Sequence, residues 1–464
     1  MSSTSRTKRA SDTHLSTDLP HGQLGRGALV LFALAAYIPA IGIAIIPVAM
    51  LPYAGYGSWL STAVAALATT CIGVGVSIFA RRYVAGGSLY SYVGEVLGPV
   101  PRYIVGGSLF VGFIIFMAST TFLAGLFFGS ALTSFGVEAG LDKRMLVLIY
   151  VVLIGLTAAI VYRGLDTSVK AAVVLAAISI PLVLLCAGAS VAATGFEFDR
   201  QFDFANASWS GILLGVAVGS AFLYGFESSS SLALETKDPK KNVPWAIMCV
   251  PIGLGTLYVV TTLVSVPGLM QGSDLLKQGV SGPAVLASVG GLPTWIGSAS
   301  DIVLCIAAFA ALIGFANYGA RLFATLAKDG LLPRVFARVH SRHQTPFAAV
   351  MLLLSAALGL LLIVLALASV IELLTLWGLA IAFTWSIPYL IFSAAVLTLL
   401  YREGRLKIKF IIPTVIGAAT IILVVVSNLI TPFPWPLNTV VYIVLVVIVI
   451  VSIVFATRNR KRGK

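Results

Sequence analysis

Three carboxylates stand inside long apolar runs of this 464-residue sequence: Glu227, Asp301 and Glu372. A charge at the centre of a bilayer is unfavourable by about 3 kcal/mol or more, so each needs a partner or a task. A carboxyl in such a place can carry a proton, hold an ammonium group or cap a helix end. Glu227 lies in GSAFLYGFESSSSLALE (219–235), two residues after a glycine set among aromatics. It either ties freed backbone amides at a helix break and takes part in coupling, or caps the following half-helix. Asp301, in SASDIVLC, could bind an ammonium or a proton, or be solvated in an outer vestibule. Glu372 is expected to reach the membrane interface. A second cluster of breakers reads AAYIPAIGIAIIP (35–47), with Pro39, Gly42 and Pro47 inside an apolar run. Proline removes a backbone donor and clashes with the preceding turn, and glycine tolerates non-helical backbone.

Other chemistries lack their residues. Cys71, Cys186, Cys249 and Cys305 form no CxxC pair, and His14, His21, His340 and His343 lie in the tail or in polar loops with no HExxH. No nucleophile and base converge in the pattern, so an enzyme is not expected, and neither a metal nor a cofactor is implied. A GxxxxGK[ST] loop is missing, which argues against transport driven by ATP on this chain.

The elements that must position these groups are membrane helices. Hydrophobic residues make up 59% and charged residues 10% of the chain, against about 25% charged in soluble domains. Mean hydropathy is +1.02. About 20 apolar residues cross a bilayer. Twelve candidate spans fit: 27–52, 57–80, 103–134, 145–163, 168–194, 209–235, 244–267, 294–326, 346–368, 370–401, 409–430 and 437–457. The third, eighth and tenth are long enough to tilt or protrude. The first is too long for a signal peptide and follows a polar stretch. Lys143, Arg144, Arg200 and Lys277 fall on one side, and the other 26 of the 30 Lys and Arg on the opposite side. The positive-inside rule then makes the protein multi-pass with both termini cytoplasmic. The net charge of +13 reads as topology and contact with anionic lipid, not as nucleic-acid binding. Residues 1–25 are expected to be a disordered cytoplasmic tail.

The two broken spans lie five apart, each opening a five-helix block. That is the pattern of an inverted repeat with a site between broken helices, whose half-helix N-termini face anionic groups and whose freed carbonyls face cations. The spacing alone carries this; no sequence identity between the blocks is detected.

Three motifs resemble the amino acid–polyamine–organocation superfamily of permeases. AFLYGFESSSSLALETKDPKKNVPWAI (221–247) is similar to its helix 6 and following loop. AGGSLYSYVGEVLGP (85–99) is similar to its loop between helices 2 and 3, and RLFATLAKDGLLPRVFARVHSRHQTP (321–346) to its loop between helices 8 and 9. The resemblance covers nearly the whole chain. It implies an all-α integral membrane protein with a LeuT-like five-plus-five inverted repeat. The ten-helix transport core would span 26–401, with helices 1 and 6 broken at mid-membrane. Two additional helices would span 402–457, and a basic cytoplasmic tail 458–464. Its backbone at Ala40, Ile41, Gly42 and Ile43, with Phe222, Tyr224, Gly225 and Phe226, would hold the substrate, and Glu227, Asp301 and Asn317 would serve coupling or gating.

The sequence departs from that family at several points. The helix 1 motif, typically Gly-Ser/Ala-Gly-Ile, is Ala40-Ile41-Gly42-Ile43. A helix 2 acid is missing, with Arg81 and Arg82 nearby. A lysine of proton-coupled members is Ser179, and the aromatic four residues before the helix 6 glycine is Ala221, beside Phe222. The Ser/Thr pair of a sodium site is absent around Asn317, which leaves protons or exchange ahead of sodium. The resemblance implies a secondary transporter of amino acids working by alternating access in the plasma membrane. An amine or polyamine permease of the same fold, favoured mildly by Glu227, Asp301 and the altered helix 1 motif, stays open, as does a non-transporting membrane sensor.

Overall fold

The computed structural model describes residues 15–16, 22–37, 39–340, 343–368, 370–430 and 437–460. In chain order the helices are α1 (Arg26–Ala36), α2 (Pro39–Ala54), α3 (Ser58–Ala80), α4 (Leu89–Leu97), α5 (Pro99–Ser134), α6 (Lys143–Tyr162), α7 (Leu165–Thr194), α8 (Phe198–Gln201) and α9 (Trp209–Ser220). They continue as α10 (Pro239–Cys249), α11 (Gly255–Gln271), α12 (Ser273–Lys277), α13 (Gly282–Val289), α14 (Thr294–Lys328), α15 (Phe347–Leu367), α16 (Val370–Arg402), α17 (Ile408–Ile430) and α18 (Leu437–Arg460). A 3-10 helix runs over Phe226–Glu235, and a π-turn at Val250–Leu254 joins α10 to α11.

Ten helical stretches among the described residues are long and apolar enough to cross a membrane, where the sequence suggests twelve. One difference is a fusion of the first two expected spans through the 3-10 turn Gly55–Gly57, and the other falls at the expected break in the sixth. Arg26–Ala80 is a single apolar stretch that contains α1, α2 and α3, and the sixth expected span is divided between the 12-residue α9 and the 3-10 helix. The long third, eighth and tenth spans are helices of 36, 35 and 33 residues.

Burial separates an inner from an outer layer. The most apolar window of α5 is 83% buried and that of α17 is 22% buried. Apolar side chains left open on α17 and α18, among them Ile412, Leu423, Ile443 and Ile450, suit a lipid solvent, in which exposed hydrocarbon carries no penalty.

Polar clasps gather at one end of the bundle. Leu24 pairs with the chain beyond the 3-10 helix: its amide donates to Glu235 O at 2.9 Å, and Lys237 N donates to Leu24 O at 2.8 Å. Leu15–Ser16 pairs antiparallel with Val339–His340. Asp329 takes a hydrogen bond from Tyr90 at 2.8 Å and an ion pair from Arg102. Burial, and after it the Asp329 charge, raises the Tyr90 phenol above its ordinary range, so it stays a donor.

Candidate functional site

The first break comes earlier than the Gly42 region suggests. Helix α1 ends at Ala36, and α2 starts at Pro39, a residue suited to a first helical position because its missing N–H would be unpaired there anyway. Ala40, Ile41 and Gly42 therefore occupy the first turn of α2, where amides lack an intrahelical acceptor. Pro47 and Pro52 lie inside α2 without ending it. Gly42 is required by a neighbour: a Cβ there would sit 2.2 Å from Cζ of Tyr258. That ring comes close because its hydroxyl donates to Tyr37 O, 3.1 Å away, at the break itself.

The sixth span breaks as expected. After α9, tight turns carry the chain through Ala221–Tyr224, and Gly225 takes φ +87°, a left-handed conformation that suits glycine. The ten residues that follow form a 3-10 helix, far beyond the usual three or four. Tyr37 Oη donates to Tyr224 O at 3.4 Å, which joins the two breaks.

Glu227 is 1% exposed, and its carboxyl reaches α16. Tyr389 Oη donates to one oxygen at 2.5 Å and Trp385 Nε1 to the other at 3.1 Å. The Gly225 amide in turn donates to Tyr389 Oη at 2.7 Å. No side-chain hydrogen bond caps the 3-10 helix, and the Glu227 carboxyl ties it to α16.

A cavity lies where the two breaks meet, lined by Ala36, Tyr37, Ile41 and Gly42 from the first, and Ala221 and Phe222 from the second. Helix α5 adds Phe116, Ser119, Thr120 and Leu123, and α16 adds Leu374, Gly378 and Ile381. Its volume is about 50 Å³, against about 300 Å³ or more for common small-molecule sites. A ligand of amino acid size enters only if the surrounding helices part. Of the expected site residues, Ile41, Gly42 and Phe222 line this space. Ala40 and Ile43 are buried beside it on α2. Tyr224 and Phe226 instead pack on Tyr389, with ring centroids 5.2 and 5.9 Å away. The small Ala221 stands in the cavity wall beside Phe222.

The remaining expected residues lie elsewhere. Asp301 is 2% exposed rather than solvated, at the floor of a separate pocket. Asn317 makes its hydrogen bonds within α14: Nδ2 donates to Ile313 O at 2.9 Å, and Oδ1 accepts from Arg321 Nη1 at 3.0 Å. The Glu372 side chain lies outside the described residues. Ser179, at the family's lysine position, is buried and donates to Ala176 O within its own helix.

The sequence reading missed a buried ion pair. Arg321 and Glu235 have side chains 1% and 0% exposed. Arg321 Nε reaches both Glu235 oxygens, at 2.7 and 2.9 Å, and Nη2 reaches Oε1 at 2.5 Å. The available signal was the position of Arg321 inside the apolar run 294–326, where a cation demands a partner. Tyr389, Trp385 and Tyr258 were missed because buried aromatics in helices carry no mark of function.

The family model described as amino acid permease matches residues 27–456. The branched-chain amino acid permease BcaP of Bacillus subtilis is 26% identical over 342 residues, 70% of this chain and 71% of that protein. The methylthioribose transporter of the same organism is 27% identical over 354 residues, 73% and 72% of the two chains. An uncharacterized transporter of Mycobacterium tuberculosis is 27% identical over 356 residues, 76% and 74%. With a family match over nearly its whole length, on a bundle of apolar helices broken at two facing points, the chain belongs to the amino acid permease family of the amino acid–polyamine–organocation superfamily.

Proposed function

We propose that this chain is a secondary transporter of α-amino acids with apolar side chains. One observation carries the reading: the cavity has the N-terminus of α2 on one side and the C-terminal end of α9 on the other, and no charged side chain lines it. A helix N-terminus favours a carboxylate and a helix C-terminus an ammonium. Between them, Ile41, Leu123, Phe222 and Leu374 suit a hydrocarbon side chain. The name of the branched-chain permease relative points the same way.

The full reading is a twelve-span chain with both termini cytoplasmic in the plasma membrane. Residues 26–401 form an inverted-repeat core with 402–457 added, and alternating access occurs around the cavity. Glu227 is the coupling group. Protonation turns one of its acceptor oxygens into a donor, so Tyr389 must reorient, and the grip of the 3-10 helix on α16 changes. The amine or polyamine reading is weaker, because Glu227 is occupied by Tyr389 and Trp385 and no carboxylate lines the cavity.

Proteoliposome counterflow tests this. Liposomes loaded with leucine are expected to accumulate labelled leucine, while loading with 3-methylbutylamine, which is leucine without its carboxylate, gives no exchange. Accumulation of the amine or of spermidine without leucine exchange would establish the alternative reading.

A further inference from the structure

The pocket above Asp301 stands apart from the cavity at the breaks. It lies between the C-terminal end of α5, the segment 275–288 and the N-terminal part of α14, at the end of the bundle opposite Leu24, and its volume is about 700 Å³. Asp301 is the only charged residue in its lining. The carboxylate is half satisfied: Ser130 Oγ donates to Oδ2 at 2.6 Å, and Oδ1 has no hydrogen-bond partner. Among the described residues no ion pair includes Asp301. The buried Ser281 hydroxyl is the nearest further donor to the carboxyl, but it stands beyond hydrogen-bond distance of Oδ1. Buried polar groups are almost always paired, and an exception asks for an explanation. The Asp301 Oδ1 oxygen, buried beside a hydroxyl that does not close to hydrogen-bond distance, marks a place where a further donor fits.

We infer that this pocket binds the ammonium group of a primary alkylamine or amino compound, with Asp301 as its counter-charge. An ammonium carries three N–H donors, enough for Asp301 Oδ1 and Ser281 Oγ together. Leu141, Leu275, Leu292 and Trp295 supply apolar wall for the attached hydrocarbon. A bare divalent cation fits less well, because it takes six or more oxygens and Asp301 is the only carboxylate here. Ser281 lies on the short connection before α13 and lines the pocket together with Asp301. The site is separate from the proposed transport cavity and does not depend on that reading.

Thermal stabilisation of the detergent-purified full chain by n-butylammonium chloride, against sodium chloride at equal concentration, tests the assignment, since a ligand that binds only the folded state raises apparent stability. Saturable stabilisation by n-butylammonium beyond sodium is expected. Asp301→Asn, which removes a charge-assisted hydrogen bond, should weaken apparent affinity about ten- to a hundredfold. Ser281→Ala, which keeps the carboxylate, should weaken it about three- to tenfold, and decides the matter if Asp301→Asn does not fold. Wild-type affinity in a folded Asp301→Asn, or in Ser281→Ala where that is the deciding variant, would overturn the inference. So would equal stabilisation by sodium.

Discussion

Arg321→Met should destabilise the protein by about 3–5 kcal/mol, because it leaves Glu235 as an uncompensated buried charge. The stem volume is largely kept, so the loss reports the missing charge and its hydrogen bonds more than a cavity. The effect is large because the pair is enclosed: side-chain exposures are 1% and 0%, and the guanidinium also binds Asn317 O and Oδ1 at 3.0 Å each. Glu235 is also where the chain before α1 is fastened, through the Leu24 amide. Replacing both partners by apolar groups, Arg321→Met with Glu235→Leu, should recover most of the stability, since the lone charge is gone. Apparent melting temperature in detergent, together with monodispersity, reads both effects. Single variants as stable as the wild type would mean that the pair is solvated in the working protein. A double variant as unstable as the singles would place the loss in geometry rather than in charge.

Glu227→Gln should reduce transport more than tenfold. The two carboxylate oxygens each accept from a buried donor, Tyr389 Oη and Trp385 Nε1. An amide offers one oxygen and one NH₂, so the NH₂ faces either Trp385 Nε1–H, which only donates, or a Tyr389 hydroxyl that must turn to accept and leave its own proton without an acceptor. A buried polar group left unpaired in this way costs about 1–3 kcal/mol, enough to loosen α16 from the 3-10 helix without unfolding the chain. Residual leucine uptake in this variant should no longer respond to an imposed proton gradient, because position 227 has lost its titratable proton. Tyr389→Phe removes the donor to Glu227 and the acceptor of the Gly225 amide. Combined with Glu227→Gln it should cost less than the two losses added, as expected for groups in one network. Wild-type uptake with wild-type gradient dependence in Glu227→Gln would remove Glu227 from the coupling step.

Much of the scaffold was legible because bilayer thickness and apolar run length set helix length. The long helices at 99–134, 294–328 and 370–402 follow from their runs, and the break at 221–225 from a glycine among aromatics. The first break was blurred by three breakers in a row; the starting position of α2 follows from Pro39, and Gly42 serves a different purpose, room for Tyr258. Side-chain partners were less legible, because a helical run does not show which face meets which neighbour. Asn317 is held by Arg321 one turn on, as side chains four apart on a helix meet. The Glu235–Arg321 and Glu227–Tyr389 pairs are 86 and 162 positions apart, and no local pattern joins them. Phe116 and Leu374 reach the cavity only through the fold.

The most direct test of the account is ligand binding at the cavity between the two breaks. Purified protein would be titrated with leucine, 3-methylbutylamine and 4-methylpentanoate, which lacks only the amino group of leucine, and thermal stabilisation read for each. The account predicts that leucine stabilises well beyond either half-ligand, and that Phe222→Ala, which widens the cavity wall, shifts preference toward phenylalanine. Stabilisation by the amine equal to that by leucine, or a preference unchanged by Phe222→Ala, would contradict it.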